Sequence, residues 1–390
     1  MPAFSTEQRV MGALLLFAPL TIVASQLNWP PALQFFLSVI SIIPLAAYVG
    51  AATEGLAARV GGRIGGLLNA TFGNAPDLLV GVFGVQRGLI PLVKATIVGA
   101  LMSNSALIIG LCYVIAGLRF GRPQFNRYEA GHHSVLMMLT VGAIVFPSVG
   151  ALVMCGGTAC RSTTSSNIIL QVSVGVALVL LLAYSSYVVF SIFRVQGGQD
   201  FMARTTVQTR TLEEQAREEE TVTWPPWFSL FALGGATALL IPITDILTGS
   251  VNPVTHVLGW TQVFVGIIII ANAGNVAEAY AAIRFAWSRG GIRPESGRDT
   301  GLDLSVSIAS ASSIQIATFV APLIVLISLL SHHLTLVFSP VEIAILALLV
   351  LIFTYVAQDG ETNWLEGAQL LALYAMAAIV FFFLPVTVFQ

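Results

Sequence analysis

Charged residues are scarce in this chain. Only 9% of its 390 residues are charged, whereas soluble domains average about 25%. The charges that are present gather in short clusters between long apolar runs, as a polytopic membrane protein requires. The formal net charge of -2 offers no basic surface, which argues against nucleic acid as a partner.

Cysteine and histidine are also rare, with three and five residues. Cys112 lies in an apolar run and is predicted to be buried. Cys155 and Cys160 fall in one short loop predicted to face outward, where a disulfide can form in an oxidising compartment. The histidine pairs at 132–133 and 332–333 lack the partner spacing of a metal site.

Most of the chain is apolar: 56% of its residues are hydrophobic, and its mean hydropathy is +0.87. A transmembrane helix needs about 20 apolar residues. Runs of that length predict an all-α polytopic membrane protein, embedded in the lipid bilayer, with about eleven transmembrane helices. The first run has little flanking charge beyond Arg9 and no clear cleavage site, so we expect a retained helix. The runs fall roughly at 8–25, 32–52, 64–86, 91–118, 131–154, 167–193, 227–248, 256–285, 303–331, 337–357 and 364–387.

The basic residues predict how the protein is oriented. With a cytosolic N-terminus, all Lys and Arg residues except Arg87, Lys94 and Arg161 face the cytosol, in agreement with the positive-inside rule. We therefore predict an integral membrane protein with its N-terminus in the cytosol. The host would be a prokaryotic cell membrane or a vacuolar-type membrane, and the sequence does not decide between them.

A short polar motif occurs twice inside apolar sequence. The first copy, Gly73–Asp77, reads GNAPD, and the second, Gly274–Glu278, reads GNVAE. A carboxylate in hydrocarbon costs about 2.5–3.5 kcal/mol on insertion scales and normally marks an ion pathway. In the predicted topology the two copies lie in helices of opposite direction. This arrangement indicates inverted repeats with a cation site at their interface.

The similarity between the halves continues in the following helix, where Gly99–Ser103 and Ala311–Gln315 share a pattern of small and polar residues. We therefore divide the chain into one peripheral transmembrane helix and two inverted five-helix repeats joined by a linker. The predicted boundaries are 1–30 for the first helix, 31–193 for the first repeat, 194–226 for a cytosolic acidic linker and 227–390 for the second repeat.

The linker is the only long hydrophilic stretch. Clustered carboxylates suit hard cations such as Ca²⁺, so we predict that it senses a cytosolic cation. A solvated connector is an equally good interpretation of a charge run. The proposed regulatory acids are Glu213, Glu214, Glu218, Glu219 and Glu220.

Helix capping is a simpler interpretation of the two motifs. Asn74 ahead of Asp77, and Asn275 ahead of Glu278, match a capping residue followed by a first-turn acid. Two copies in inverted repeats favour the ion site. The interpretations are also compatible, because a helix broken at Gly-Asn exposes carbonyls of its first half and positions the acid of its second half.

Several longer motifs carry a family resemblance across nearly the whole chain. They are Gly66–Asn74, the second Gly-Asn-x-x-Glu, Ser312–Ala317 and Gln358–Gly367. They resemble the Ca²⁺/H⁺ exchanger (CAX) family of the calcium:cation antiporter superfamily. The resemblance implies eleven helices with the first outside a pseudo-symmetric core of ten. It also implies cation/proton antiport by alternating access, with Ca²⁺ as the transported substrate and no cofactor.

The resemblance further implies that Asp77 and Glu278 hold the transported metal ion and the counter-transported protons. Ca²⁺ takes about six to eight oxygen ligands. Two adjacent carboxylates raise each other's proton affinity, and a bound divalent ion reverses this, so one site can hold either substrate. The remaining ligands would be Asn74, Asn275, Ser103, Ser312, Gln315 and carbonyls near Gly73 and Gly274.

The chain departs from the family pattern at the site itself. Pro76 and Asp77 replace the usual Thr and Glu, and Ala279 replaces a His. Mn²⁺ or a monovalent cation is therefore an alternative substrate, and a Na⁺-coupled exchanger is an alternative function. An intramembrane aspartyl hydrolase is a third hypothesis, although nothing here resembles Gly-x-Gly-Asp. The sequence leaves the oligomeric state, including a homo-oligomer, open.

Overall fold

The protein is described here from a computed structural model that covers residues 6–60, 68, 71–156, 162–193, 225–288 and 300–383. Within these ranges the only regular elements are helices, joined by turns and short irregular segments, with one isolated bridge between Gln124 and Glu361. The predicted all-helical fold is thus confirmed. Of the predicted acidic linker, residues 194–224 lie outside the described residues, and α8 already begins at Pro226.

The described ranges contain seven helices that are long and apolar enough to cross a membrane. Each contains about the 20 residues or more that a bilayer core demands. They are α3 (Pro31–Val60), α5 (Ile90–Phe120), α6 (Arg127–Cys155), α7 (Thr163–Phe193), α8 (Pro226–Leu258), α11 (Gly301–Ser328) and α13 (Trp364–Phe383).

The other helices are shorter or broken. Two consecutive helices are long and apolar enough to cross a membrane only when they are counted as one span. The chain bends by 62° at the single residue between them. That pair is α9 (Gln262–Gly274) and α10 (Val276–Trp287). The remaining helices are α1 (Thr6–Leu14), α2 (Phe17–Gln26), α4 (Ala75–Gln86) and α12 (Pro340–Asp359).

Two predicted boundaries differ from the structure. Helices were expected at 227–248 and 256–285, but α8 continues through Pro253 to Leu258. Membrane helices tolerate an internal proline where neighbouring groups satisfy the freed backbone. The helix ends instead at Gly259, whose φ of +68° is a common C-terminal conformation for glycine. The predicted first span, 8–25, is divided into α1 and α2.

Buried apolar side chains form two large groups. The smaller one joins α2, α3 and α8, and the larger one joins α5, α6, α11, α12 and α13. Both α4 and α9 contribute to each group, through Val80 and Val85 in α4 and through Ile267 and Ile270 in α9. The two motif-bearing helices therefore lie where the packed groups meet.

Two glycines let α5 and α9 touch backbone to backbone. A Cβ added to Gly99 would lie 2.5 Å from the Cα of Ile267, and one added to Gly266 would lie 2.7 Å from the Cβ of Ala95. Small residues allow this close approach between membrane helices. The crossing places the polar middle of α5 against the end of α9.

A buried non-helical segment, residues 334–339, connects α11 to α12. Serines of neighbouring helices accept its backbone N–H groups. Ser173 accepts from Leu336 at 3.1 Å, and Ser148 accepts from Phe338 at 2.9 Å. Irregular backbone at membrane depth is tolerated when protein groups satisfy it in this way.

One described cysteine is a free thiol and another forms a disulfide bond. Cys112 in α5 is free and buried, as predicted. Cys155, at the end of α6, is disulfide-bonded, while Cys160 lies outside the described residues.

Candidate functional site

The two Gly-Asn motifs have nearly the same backbone conformation. Asn74 has φ −93° and ψ 14°, and Asn275 has φ −89° and ψ 9°. Each asparagine stands immediately before a twelve-residue helix, and each acid, Asp77 or Glu278, lies in the first turn of that helix. The repeated sequence thus gives a repeated helix break. The positive end of a helix dipole faces each carboxylate region.

Neither motif asparagine caps its helix with its side chain. Asn74 and Asn275 occupy capping positions but make no side-chain capping hydrogen bond. Asn74 Nδ2 instead donates to Gln315 Oε1 at 2.8 Å. A complete capping box does form at α12, where Ser339 and Glu342 bond each other's backbone N–H groups. Capping therefore does not explain the motif asparagines.

Asp77 lies against the second motif. A Cβ added to Gly274 would be 2.9 Å from Asp77 Oδ1, 3.5 Å from Cγ and 3.7 Å from Oδ2. Because Gly274 has no side chain, the carboxylate of Asp77 has room beside it. The two helix breaks, far apart in sequence, meet at this point.

Both acids are withdrawn from bulk solvent. Asp77 and Glu278 are half-buried, and Oε2 of Glu278 is shielded from solvent. Asn74 and Asn275 beside them are buried, and Nδ2 of Asn275 makes no hydrogen bond. Carboxylates held away from water favour a proton or a cation, because an isolated charge there is costly.

Polar side chains of α5 contact both α9 and α11. Ser103 Oγ donates to Asn272 Oδ1 at 2.7 Å, and Asn104 Nδ2 donates to Ser312 Oγ at 2.9 Å. These two α5 residues lie in a π-helical stretch, Ser103–Ile108. Such stretches are rare and are frequently found at functional sites. Two more occur next to the site, at Val265–Ile270 and Ile316–Val320.

The direction of these hydrogen bonds determines what the site can bind. The amide nitrogens of Asn74 and Asn104 are directed at protein acceptors, so their oxygens face elsewhere. Asn104 Oδ1 is fully buried and has no hydrogen-bond partner, a condition that costs about 1–3 kcal/mol. A cation would satisfy such an oxygen. The arrangement presents oxygen atoms, which hard cations prefer.

The structure places several of the predicted site residues in contact, pair by pair, with one another or with further polar side chains. Contacts join Asp77 to Gly274, Asn74 to Gln315, and Ser103 and Ser312 to amide side chains. Gly73 is half-buried at the first break. The five regulatory glutamates lie outside the described residues. Among the described residues, no three His, Cys, Asp or Glu side chains cluster.

Sequence reasoning missed Asn272, Asn104 and Tyr374. Asn272 and Tyr374 take part in the hydrogen-bond network, and Asn104 carries the buried oxygen that has no hydrogen-bond partner. A usable signal was present for two of them, because Asn104 follows Ser103 directly and Asn272 lies three residues before Asn275 within an apolar run. No sequence signal identifies Tyr374.

A model of the sodium/calcium exchanger protein family matches residues 30–193 and 228–383. The chain belongs to this family. One matched stretch contains the motif of Asp77 and the other contains the motif of Glu278. The family assignment therefore covers both helix breaks described above.

Similar proteins narrow the family further. The Ca(2+)/H(+) antiporter ChaA of Bacillus subtilis is 34% identical over 368 residues, which are 94% of this chain and 96% of that protein. The Ca(2+)/H(+) antiporter of Synechocystis sp. is 34% identical over 98% of this chain and 100% of that protein. The vacuolar calcium ion transporter of Schizosaccharomyces pombe is 33% identical over 95% of this chain and 84% of that protein. The predicted membership in the CAX family is confirmed.

Solved structures agree with this assignment. Native YfkE aligns with a TM-score of 0.76 and 31% identity over 96% of this chain and 100% of that chain. A crystal structure of the H+/Ca2+ exchanger CAX aligns with a TM-score of 0.68 over 98% of this chain and 90% of that chain. At 15% identity it shows the shared fold. This chain is thus a membrane transport protein.

Proposed function

We propose that this chain is a Ca²⁺/H⁺ antiporter. The observation that carries the proposal is the approach of Asp77 to Gly274, which brings one acid-bearing helix break against the other. Relatives named Ca(2+)/H(+) antiporters, 34% identical over nearly the full chain, support these two ions as substrates. Ca²⁺ is the cargo, and no cofactor is required.

Asp77 and Glu278 would bind Ca²⁺ and protons in turn. When Ca²⁺ leaves, two carboxylates held away from water gain protons, because burial and mutual repulsion both disfavour their charges. When Ca²⁺ returns, its charge reverses that preference and releases the protons. Competition at one site then gives exchange. The neutral ligands would be Asn74, Asn275, Ser103, Ser312, Gln315, Asn104 and the carbonyls near Gly73 and Gly274.

The proposed architecture has eleven membrane helices, with residues 1–30 outside two inverted repeats at 31–193 and 227–390. The matching conformations at Asn74 and Asn275 support the repeat, as does one family model that matches two stretches. The acidic linker at 194–226 joins them. The distribution of basic residues supports a cytosolic N-terminus, in a bacterial cell membrane or a vacuolar-type membrane.

Alternating access would arise from the position of the broken helices. Because α4 and α9 contribute to both packed groups, a shift of one group against the other would open the site to one side and then to the other. Such a shift would couple the Ca²⁺ gradient to the proton gradient.

A Na⁺-coupled exchanger, or one for another cation, is the second candidate function. The short side chain of Asp77 favours it, because a shorter carboxylate reaches less far toward the ion. The hydrolase alternative is not supported, since the relatives are named as antiporters or ion transporters. The protein is a transporter and not an enzyme.

Flux into proteoliposomes tests the proposal. A pH gradient should drive uptake of Ca²⁺ more strongly than uptake of Mn²⁺, Mg²⁺, Na⁺ or K⁺, and a Na⁺ gradient should not. Ca²⁺ uptake that depends on a Na⁺ gradient would instead establish the second candidate.

Glu278→Gln tests the site assignment within the same assay. The substitution keeps the side-chain shape but removes the charge and the titratable proton, so exchange should be lost with normal insertion. Glu361→Gln is the matched control, because it makes the same substitution at an exposed glutamate and should leave exchange unchanged. Wild-type flux by Glu278→Gln would refute the assignment.

A further inference from the structure

Tyr374 lies on α13, a helix that carries none of the predicted site residues. Its side chain is buried, with 9% of its surface exposed. Its hydroxyl oxygen accepts a hydrogen bond from Asn272 Nδ2 at 2.6 Å. The last helix of the described chain therefore reaches the polar network beside the second motif through one phenol group.

Asn272 has only one possible amide orientation in these surroundings. Its Nδ2 also donates to the backbone oxygen of Ile268 at 2.7 Å. A carbonyl oxygen can only accept, so the nitrogen must face Ile268 and Tyr374. Both amide hydrogens are then used, and Oδ1 is directed at Ser103.

The orientation of Asn272 in turn decides how Ser103 is used. Because Asn272 Oδ1 can only accept, Ser103 must donate its hydroxyl hydrogen to it, at 2.7 Å. The lone pairs of Ser103 Oγ are then available to a cation. If Ser103 rotated its hydrogen into the site, the hydroxyl would repel the cation instead of binding it.

We propose that Tyr374 is a positioning residue. The Ile268 carbonyl sets which way the Asn272 amide faces, and the Tyr374 hydroxyl, as the second acceptor, holds that amide in place, and through it Ser103, so that the Ser103 oxygen faces the transported cation. The inference rests on the proposed function, because it takes Ser103 as a ligand. Tyr374 touches neither the cation nor the protons. It increases the affinity of the site by preventing Ser103 from adopting the wrong hydroxyl orientation.

Tyr374→Phe tests the proposal with little risk to folding, since it removes one oxygen atom and leaves the ring. Loss of one neutral hydrogen bond should raise the KM for Ca²⁺ in pH-driven uptake about three- to tenfold. The maximal rate should change little, because the carboxylates that carry the charges are untouched. Tyr355→Phe, at an exposed tyrosine of α12, is the matched control and should behave as wild type.

A double-mutant cycle separates positioning from a general structural role. In a Ser103→Ala protein the hydroxyl is already gone, so adding Tyr374→Phe should produce no further rise in KM. Equal KM effects with and without Ser103 would overturn the proposal, as would an unchanged KM in Tyr374→Phe. If the wild-type protein itself takes up no Ca²⁺ under a pH gradient, the proposed function has failed. The cycle is then run as cation binding to the detergent-solubilised proteins, with the same two expectations.

Discussion

Gly274→Ala should disrupt the site by displacing the carboxylate of Asp77. A Cβ at this position would lie 2.9 Å from Oδ1 and within 3.7 Å of the other two carboxyl atoms. Ordinary contacts of a Cβ begin at 3.4 Å. The carboxylate or its half-helix must therefore retreat by about 0.5 Å, the difference between 3.4 and 2.9 Å.

That displacement is large compared with the tolerance of a calcium site. Direct Ca–O distances lie between about 2.3 and 2.6 Å, so a shift of about 0.5 Å removes a direct ligand or places water between Asp77 and the ion. We expect the KM for Ca²⁺ to rise at least about tenfold, which corresponds to about 1.4 kcal/mol.

The assay is pH-driven Ca²⁺ uptake into proteoliposomes over a range of Ca²⁺ concentrations. Gly234→Ala is the matched control, because a Cβ at this α8 glycine would meet nothing within 4 Å. Alanine is also about 1 kcal/mol more favourable than glycine in a helix, so neither variant should fold poorly for reasons of propensity. A correctly folded Gly274→Ala protein with the wild-type KM would refute the placement of Asp77 beside Gly274.

Three further predictions follow from the same structure. Asp77→Asn should abolish antiport and Asp77→Glu should retain transport with a changed ranking of cations; normal transport by Asp77→Asn would reduce Asp77 to a first-turn helix acid. Ser148→Ala should lower the free energy of unfolding by about 1–3 kcal/mol, because Phe338 N–H loses its acceptor. Thermal unfolding in detergent measures this, and an equal loss in Ser185→Ala, an exposed hydroxyl on α7, would contradict it. Neutralising the linker acids should change activation by cytosolic cation without abolishing binding in the membrane, and an unchanged dose-response would make the linker a plain connector; the acids are Glu213, Glu214, Glu218, Glu219 and Glu220.

The sequence was sufficient to predict what depends on local composition. Long apolar runs indicated the membrane helices, and the rarity of acids in such runs indicated Asp77 and Glu278. Helix ends were less accurate. The apolar run predicted a helix end at residue 248, but α8 continues through Pro253 to Leu258. The left-handed conformation of Gly259 ends the helix instead, and the apolar run alone did not single out that glycine.

The hydrogen-bond network was beyond prediction for a related reason. Capping was a reasonable local interpretation of Asn74, because a capping partner is always a few residues away. The actual partner, Gln315, is 241 positions away in the sequence. Asn272 and Tyr374 are likewise 102 positions apart. The residue types indicated that these side chains can form hydrogen bonds, but only the fold determines with which groups they form them.

The long sequence separations have a consequence for how the site forms. Ser103 donates to Asn272 across 169 positions, and Asn104 donates to Ser312 across 208. In each case a residue in the first part of the chain orients its hydrogen toward the second part, which leaves oxygen lone pairs for a cation. Under the proposed function, neither part of the chain can therefore complete the ligand set alone.

The same dependence explains why glycines accompany the polar motifs. The donors of α5 reach α9 only because Gly99 and Gly266 let the two backbones touch, and Asp77 reaches the second motif only because Gly274 leaves room for it. A side chain at any of these positions would separate groups that must lie within hydrogen-bonding distance. If Asp77 and Ser103 bind the cation as proposed, these small residues are as necessary to the site as the carboxylates, although they contribute no charge.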